Sequence, residues 1–170
     1  MNISSKTVAV STSSLRAQLN FNGVTAIAAA TAAVASAASL MAGLPVWAMF
    51  IGWVGFFSRG HNFRDGIANY GGVLAGICFG MVAAMAISAL GPMAGKLALP
   101  IVVFVVAMIV VSLRAMPIVN NVLAYFLGLI AYFAAHLEPS FEALGRLGEA
   151  SAIGSFAAWS SLKLQQRFMA

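Results

Sequence analysis

Two stretches of this chain, Gly66 to Leu90 and Met116 to Ala135, each run for about twenty residues or more without an acidic or basic side chain, enough for a helix to cross a ~30 Å hydrocarbon core. Composition points the same way. The chain of 170 residues is 62% hydrophobic and 8% charged, whereas soluble domains carry about 25% charged residues. A domain of this size buries only roughly 70% of its unfolded surface, too little to hide so much apolar area from water. The expected class is therefore an all-α polytopic transmembrane protein whose solvent is the lipid bilayer.

Residues 1–20, rich in Ser and Thr with Lys6 and Arg16, show no sustained period and are expected as a flexible cytoplasmic tail. A single transmembrane domain is expected over 21–163, followed by a second cytoplasmic tail over 164–170. The first span, Gly23 to Gly43, is built from Ala with Thr25, Thr31, Ser36 and Ser39. Its small side chains allow close helix contact, which predicts a place inside the bundle. The rival reading is a signal peptide, because "AVASAAS" has suitably spaced small residues; the long preceding tail and the spans that follow at once argue against it.

"AGLP" turns the chain into a second span over Leu44 to Phe57, which is short for a crossing. The third, Gly66 to Leu90, starts behind Asp65, a residue suited to capping free backbone N–H groups. A fourth covers Leu97 to Leu113, Arg114 and Pro117 mark a break, and a fifth covers about Met116 to Ala135. Beyond the more polar "HLEPSFEALGRLGEA", Ala150 to Leu162 is a weak sixth. Five spans is the alternative count.

Lys and Arg favour the cytoplasmic side. With six spans and a cytoplasmic N-terminus, Lys6, Arg16, Arg59, Arg64, Arg114, Lys163 and Arg167 fall inside, and only Lys96 and Arg146 outside. The net charge of +5 is scattered singly between apolar segments, so no nucleic-acid surface is expected.

Shifting the sequence by 76 positions lays "AMFIGWVGFF" (Ala48 to Phe57) over "AYFLGLIAYF" (Ala124 to Phe133), matching Ala48, Phe50, Gly52 and Phe57 with Ala124, Phe126, Gly128 and Phe133. The same shift puts the first span on the fourth and the third on the sixth, with Gly72 on Gly148 and Gly76 on Ala152. This predicts two three-span repeats, about 23–90 and 97–163. An odd number of spans inverts the second, an arrangement typical of transporters with midplane sites near short or broken helices. Here those are the second and fifth spans.

The third span carries Ala68, Gly72, Gly76, Gly80, Ala84 and Ser88, one small residue every four. Helix packing is the expectation, within a protomer or in a homo-oligomer; lining a pore is the alternative. Asn69, Tyr70, Asn120 and Asn121 are the most polar side chains within or bordering the spans. They are candidates either for helix-to-helix hydrogen bonds or for binding a small polar solute. Trp47, Phe50, Trp53, Phe126 and Phe133 are candidate constrictions. Arg59, His61 and Arg64, beside Asp65, form either a cytoplasmic mouth or a positive-inside anchor.

His61 and His136 fall on opposite sides of the membrane and cannot share a metal, and Cys78, the sole cysteine, is expected to be buried and inert. No cofactor or metal site is expected. No nucleotide-binding, hydrolase or metalloprotease motif is present, so no enzyme is expected either. No charged residue lies deep in a span, which fits passage of something small and neutral or weakly charged better than a proton relay.

Three features together, the Ala-rich first span, "LPVWAMFIGWVGFFSRG" followed by the glycine-rich third span, and "MPIVNNVLAYFLGLIAYFAAH", resemble a family of small bacterial inner-membrane proteins known as domain of unknown function ten ninety-seven, over about Gly23 to Leu162. The resemblance implies the location and no established chemistry. Locally, "DGIANYGGVLAGICFG" is similar to the glycine-rich helix of bacterial urea transporters, with Tyr70 followed by Gly71 where that family has Asn. The expectation is a channel or transporter for a small urea-like, amide-like or other metabolite, with a non-transporting scaffold or accessory subunit assembling through the third helix as the alternative.

Overall fold

The chain folds into six α-helices: α1 (Ile3–Met41), α2 (Val46–Phe57), α3 (Phe63–Ala94), α4 (Ala98–Ser112), α5 (Val122–Ala135) and α6 (Phe141–Met169). The computed structural model describes the backbone from residue 3 and the side chains from residue 17 to the end of the chain. Two helical stretches, Ala17–Met41 and Phe63–Ala115, are long and apolar enough to cross a membrane; α2 and α5 are apolar but shorter.

Local chemistry sets the boundaries, and several differ from the sequence expectation. α1 is already helical from Ile3, where a tail is expected. Asn62, and not Asp65, caps α3: its Oδ1 accepts the Asp65 N–H at 2.9 Å while its Nδ2 donates to Asp65 Oδ2 at 2.6 Å. That reciprocal pair starts the helix three residues early. At Gly95, φ is +53°, a conformation that ends α3 and is open to glycine at little steric cost. The chain then reverses, and α4 returns along α3 with Val106 and Val110 beside Ala75 and Phe79.

Pro117 and the two asparagines hold 116–121 out of helical conformation, so α5 has 14 residues and not the full expected span. The expected weak sixth segment is a helix of 29 residues. Ser140 starts it by accepting the Ala143 N–H at 3.0 Å, which draws most of the polar stretch and the C-terminal tail into the helix.

Four helices form the centre, in two parallel pairs. α2 and α6 run in register: Arg146 donates to Gly43 O at 3.1 Å, Ser151 to Ala48 O at 3.2 Å and Ser155 to Gly52 O at 3.0 Å, with the sequence separation constant at 103. α3 and α5 are likewise parallel, Gly72, Gly76 and Gly80 facing Ala124, Tyr125 and Tyr132 in turn. The two pairs oppose each other, because Phe63 of α3 meets Trp159 of α6 while Tyr70, further along α3, meets Gly148, earlier on α6.

Within each pair, backbone touches backbone. A Cβ added at Gly52 would land on the Ser151 carbonyl oxygen, and one at Gly154 on that of Met49; one at Gly76 would strike Tyr125 O, and one at Gly128 Val73 O. Around these crossings the core closes with Ala48, Val73, Ile77, Ala124, Leu147 and Ala150, all completely buried.

α1 lies outside the centre against α6, and the expectation that it sits inside the bundle is not met. Only Ala35 and Ser39 of its described residues are buried, while Val34, Leu40 and Met41 are largely exposed. Its small residues allow a close approach to α6 and, near its end, to α2, and most of its described residues are otherwise exposed. α4 flanks α3 in the same way, exposing Val103, Phe104 and Met108.

Gly52→Ala and Gly128→Ala should each destabilise the bundle by about 3 kcal/mol, the upper part of the overpacking range, because the added methyl meets main chain and not a movable side chain. Gly71→Ala and Gly91→Ala meet nothing within 4 Å and should be neutral or stabilising by up to about 1 kcal/mol. Denaturant unfolding in detergent or bicelles measures all four.

Candidate functional site

Three of the four polar candidates of the sequence meet at one end of the bundle, where α2 ends, α5 begins and α3 passes between them. The last carbonyls of a helix lack intrahelical partners. Asn69, buried in α3, supplies donors at the end of α2: its Nδ2 donates to Phe56 O at 3.2 Å and to Arg59 O at 2.7 Å. Its Oδ1 accepts from Asn121 Nδ2 at 2.7 Å, and the same amide of Asn121 donates to Ser58 Oγ, also at 2.7 Å. Ser58 in turn donates to Gly55 O at 2.7 Å. Asn120 accepts from the Arg59 guanidinium at the exposed rim.

This network joins three helices and uses both N–H groups and the oxygen of Asn69. A carboxamide offers two donors and one carbonyl acceptor, so Asn69 has little left to offer a solute. Tyr70 points elsewhere and donates to Gly148 O of α6 at 3.2 Å. The residues considered for solute lining therefore serve, in this conformation, as ties between helices.

The aromatic candidates do not converge on one opening. Trp47, Phe50 and Phe133 are 40–43% exposed on the outside of α2 and α5. Trp53 lies against Phe57, and Phe126 packs with the cluster that joins α5 to α3 and α4. α2 and α5 turn their glycine and alanine faces inward at the crossings together with Phe56, Tyr125 and Tyr132, which leaves Trp47, Phe50 and Phe133 on the outside.

The small-residue stripe of α3 is used in its middle. Gly72, Gly76 and Gly80 are buried against α5, whereas Ala68 and Ser88 are exposed. A four-residue spacing drifts around a helix of 3.6 residues per turn, so its ends rotate away from the face its centre buries. Ser88 and Ala84 instead form one wall of an open recess of about 690 Å³, with Tyr132, His136 and Glu138 opposite. His136, at the end of α5, has φ +51°, an uncommon conformation for a residue with a side chain.

His61 precedes α3 and His136 follows α5; as α3 and α5 are parallel, the two histidines stand at opposite ends of the bundle. No cluster of three or more metal-ligating side chains exists among the described residues. Arg59, His61 and Arg64 are exposed, with His61 against the Phe57 ring. Cys78, expected to be buried, is exposed on α3 away from the α5 contact.

Sequence reasoning missed Ser151 and Ser155, whose hydroxyls fasten α6 to the α2 backbone, and Arg146, which reaches the α1–α2 turn at Gly43. A signal existed for the serines, since "SAIGS" brackets Gly154 and repeats the small-residue pattern of α3.

A four-helix centre of two parallel, glycine-crossed pairs with two apolar flanking helices defines an all-helical protein with membrane-spanning potential. The chain belongs to the DUF1097 family: the model of that family, described as a protein of unknown function, matches residues 24–165. No curated protein and no solved structure matches it, and no match to a urea transporter accompanies the local similarity in α3.

Asn69→Leu should cost about 2 kcal/mol, by leaving the Phe56 and Arg59 carbonyls unpaired. Asn121→Ala should cost less, and the double variant less than the sum, with a coupling of about 1 kcal/mol in a double-mutant cycle followed by denaturant unfolding. Asn120→Ala, at the exposed rim, should stay within about 0.5 kcal/mol.

Proposed function

We propose that this protein is a bacterial inner-membrane carrier for a small neutral or weakly charged solute, built from two inverted repeats whose helix pairs move against each other. The observation that supports it is the correspondence of the two glycine crossings. Displacement by 76 takes Gly52 and Met49 of α2 to Gly128 and Tyr125 of α5. Displacement by 78 takes Val73 and Gly76 of α3 to Ser151 and Gly154 of α6. Each contact of one crossing therefore has a counterpart in the other. The expected single shift of 76 gives way to 78 in the last helix because α5 is two residues longer than α2.

Helix starts agree with the same displacements: Asn62 and Ser140 are the N-caps of α3 and α6, and Pro45 and Asn121 those of α2 and α5. The buried positions of α2, which are Ala48, Met49, Gly52, Gly55 and Phe56, all fall on buried positions of α5. Related helices run in opposite directions, α2 against α5 and α3 against α6, as inverted repeats require. Such repeats are typical of transporters, and alternating access there is largely one unit rocking against another.

A carrier fits better than an open channel. Backbone contact holds each pair together, completely buried side chains of all four helices fill the space between the pairs, and passage needs the pairs to separate. A scaffold assembling through the α3 glycine face is disfavoured because α5 already covers Gly72, Gly76 and Gly80 within the protomer. The basic residues place both termini in the cytoplasm in this reading, and the bundle as a homo-oligomer would bury part of the exposed apolar surface of α1 and α4.

Proteoliposomes assayed for uptake of urea, short amides, glycerol and small carboxylates test the function. Flux of at least one above empty vesicles is expected, reduced by Gly76→Ala; absence of flux for every one overturns the carrier reading. In a Cys78→Ala background, cysteines at His61 and Glu138 should react with a membrane-impermeant maleimide from opposite sides of the membrane, and labelling of both from one side would overturn the inverted topology.

A further inference from the structure

A separate feature lies between the start of α3 and the second half of α6. A cleft of about 140 Å³ is lined by Phe56, Gly66, Ile67, Tyr70, Ala152 and Trp159, with the rings of Phe63 and Phe156 at its edge. That volume is close to the ~150 Å³ of an apolar cavity known to admit benzene. Phe56 is buried, and it closes the inner side.

Among the described residues, the indole N–H of Trp159 is buried and has no hydrogen-bond partner. Tryptophans at a membrane interface normally keep that group in contact with water or headgroups. Here the rings of Phe63 and Phe156 lie against the indole, each with its centroid 5.7 Å away. Both rings are themselves 60% and 65% exposed, so they can swing aside without disturbing the core. Phe156 also borders an apolar groove between α1 and α6, which gives a lateral way in.

The chemistry of the lining selects an occupant. The hydroxyls of Tyr70 and Ser155 are already donating, to Gly148 O and Gly52 O. The unpaired group is a donor, which repels a cation and needs an acceptor. No charged side chain lines the cleft, and an ion buried there would be uncompensated. At the positions related by the repeat displacement, Leu144 stands for Gly66 and Leu74 for Ala152. At these two positions the cleft has the smaller residue of each related pair.

We propose that this cleft binds a compact neutral molecule, joining an apolar body of about ring size to one carbonyl-type acceptor that receives the Trp159 N–H. Both a free solute and the ester carbonyl of a lipid offer that chemistry. The inference does not depend on whether any solute crosses the membrane.

The test follows the indole N–H resonance of Trp159 by NMR in lipid nanodiscs, assigned by its loss in Trp159→Phe. Cyclohexanone supplies ring and carbonyl; methylenecyclohexane has the same shape without the acceptor. In ether-linked lipid, cyclohexanone should move the resonance downfield and saturate, and methylenecyclohexane should not. Ala152→Leu, the residue of the related position, should abolish the shift; should that variant fail to assemble, Ile67→Phe at the exposed rim closes the cleft from outside. A downfield resonance in ester-linked but not ether-linked nanodiscs, without added solute, supports the site and assigns the acceptor to lipid. Equal responses to the two probes, or no saturable response together with identical spectra in the two lipids, overturn the proposal.

Discussion

Everything in this bundle depends on two helix crossings at which main chain meets main chain. Where the surroundings of a helix are as apolar as its core, exclusion of water no longer drives association, and close packing with interhelical hydrogen bonds has to hold the helices together. Glycines 52, 76, 128 and 154 make that approach possible, because no side chain stands between the backbones. Close approach then puts carbonyl oxygens of α2 within reach of short hydroxyls, and Ser151 and Ser155 use them. Removing bulk is thus the means by which polar grip becomes available to a sequence with very few polar residues.

The short helices follow from the same geometry. α2 has 12 residues and α5 has 14, some 18–21 Å of helix at about 1.5 Å per residue. Each lies beside a helix at least twice its length, α6 or α3, and the longer partner carries the continuation. At the free end of α2 the exposed carbonyls would be a liability in an apolar environment. Asn69 answers this from a neighbouring helix, and Asn121 holds Asn69 in turn.

Much of this was legible in the residues. Long uncharged runs announced the helical class, and "AGLP" the turn from α1 into α2. Asparagines in so apolar a chain had to find partners, and three of them lie in one network. The start of α6 was harder, because charge and helicity were read as opposites, yet Glu142, Arg146 and Glu149 simply occupy its exposed face. The place of α1 was misread for a different reason: small residues reveal that a helix can be approached closely, but not on how many sides. The outward turn of Trp47, Phe50 and Phe133 was equally invisible, since it follows from the glycine faces of the short helices turning inward.

In the proposed repeat, the hydrogen-bonded knot at Asn69 has no counterpart, because Leu147 occupies the related position and is fully buried in the apolar core. The two ends are therefore held differently: a carboxamide network at Asn69, and single bonds from Arg146 to Gly43 O and from Tyr132 to Leu137 O at the other. Apolar surfaces slide past one another with little directional resistance, whereas a set of carboxamide bonds holds its geometry until it lets go. Parting the helices at the Asn69 end means breaking a set of directional bonds at once, whereas around Leu147 it means baring carbon surface.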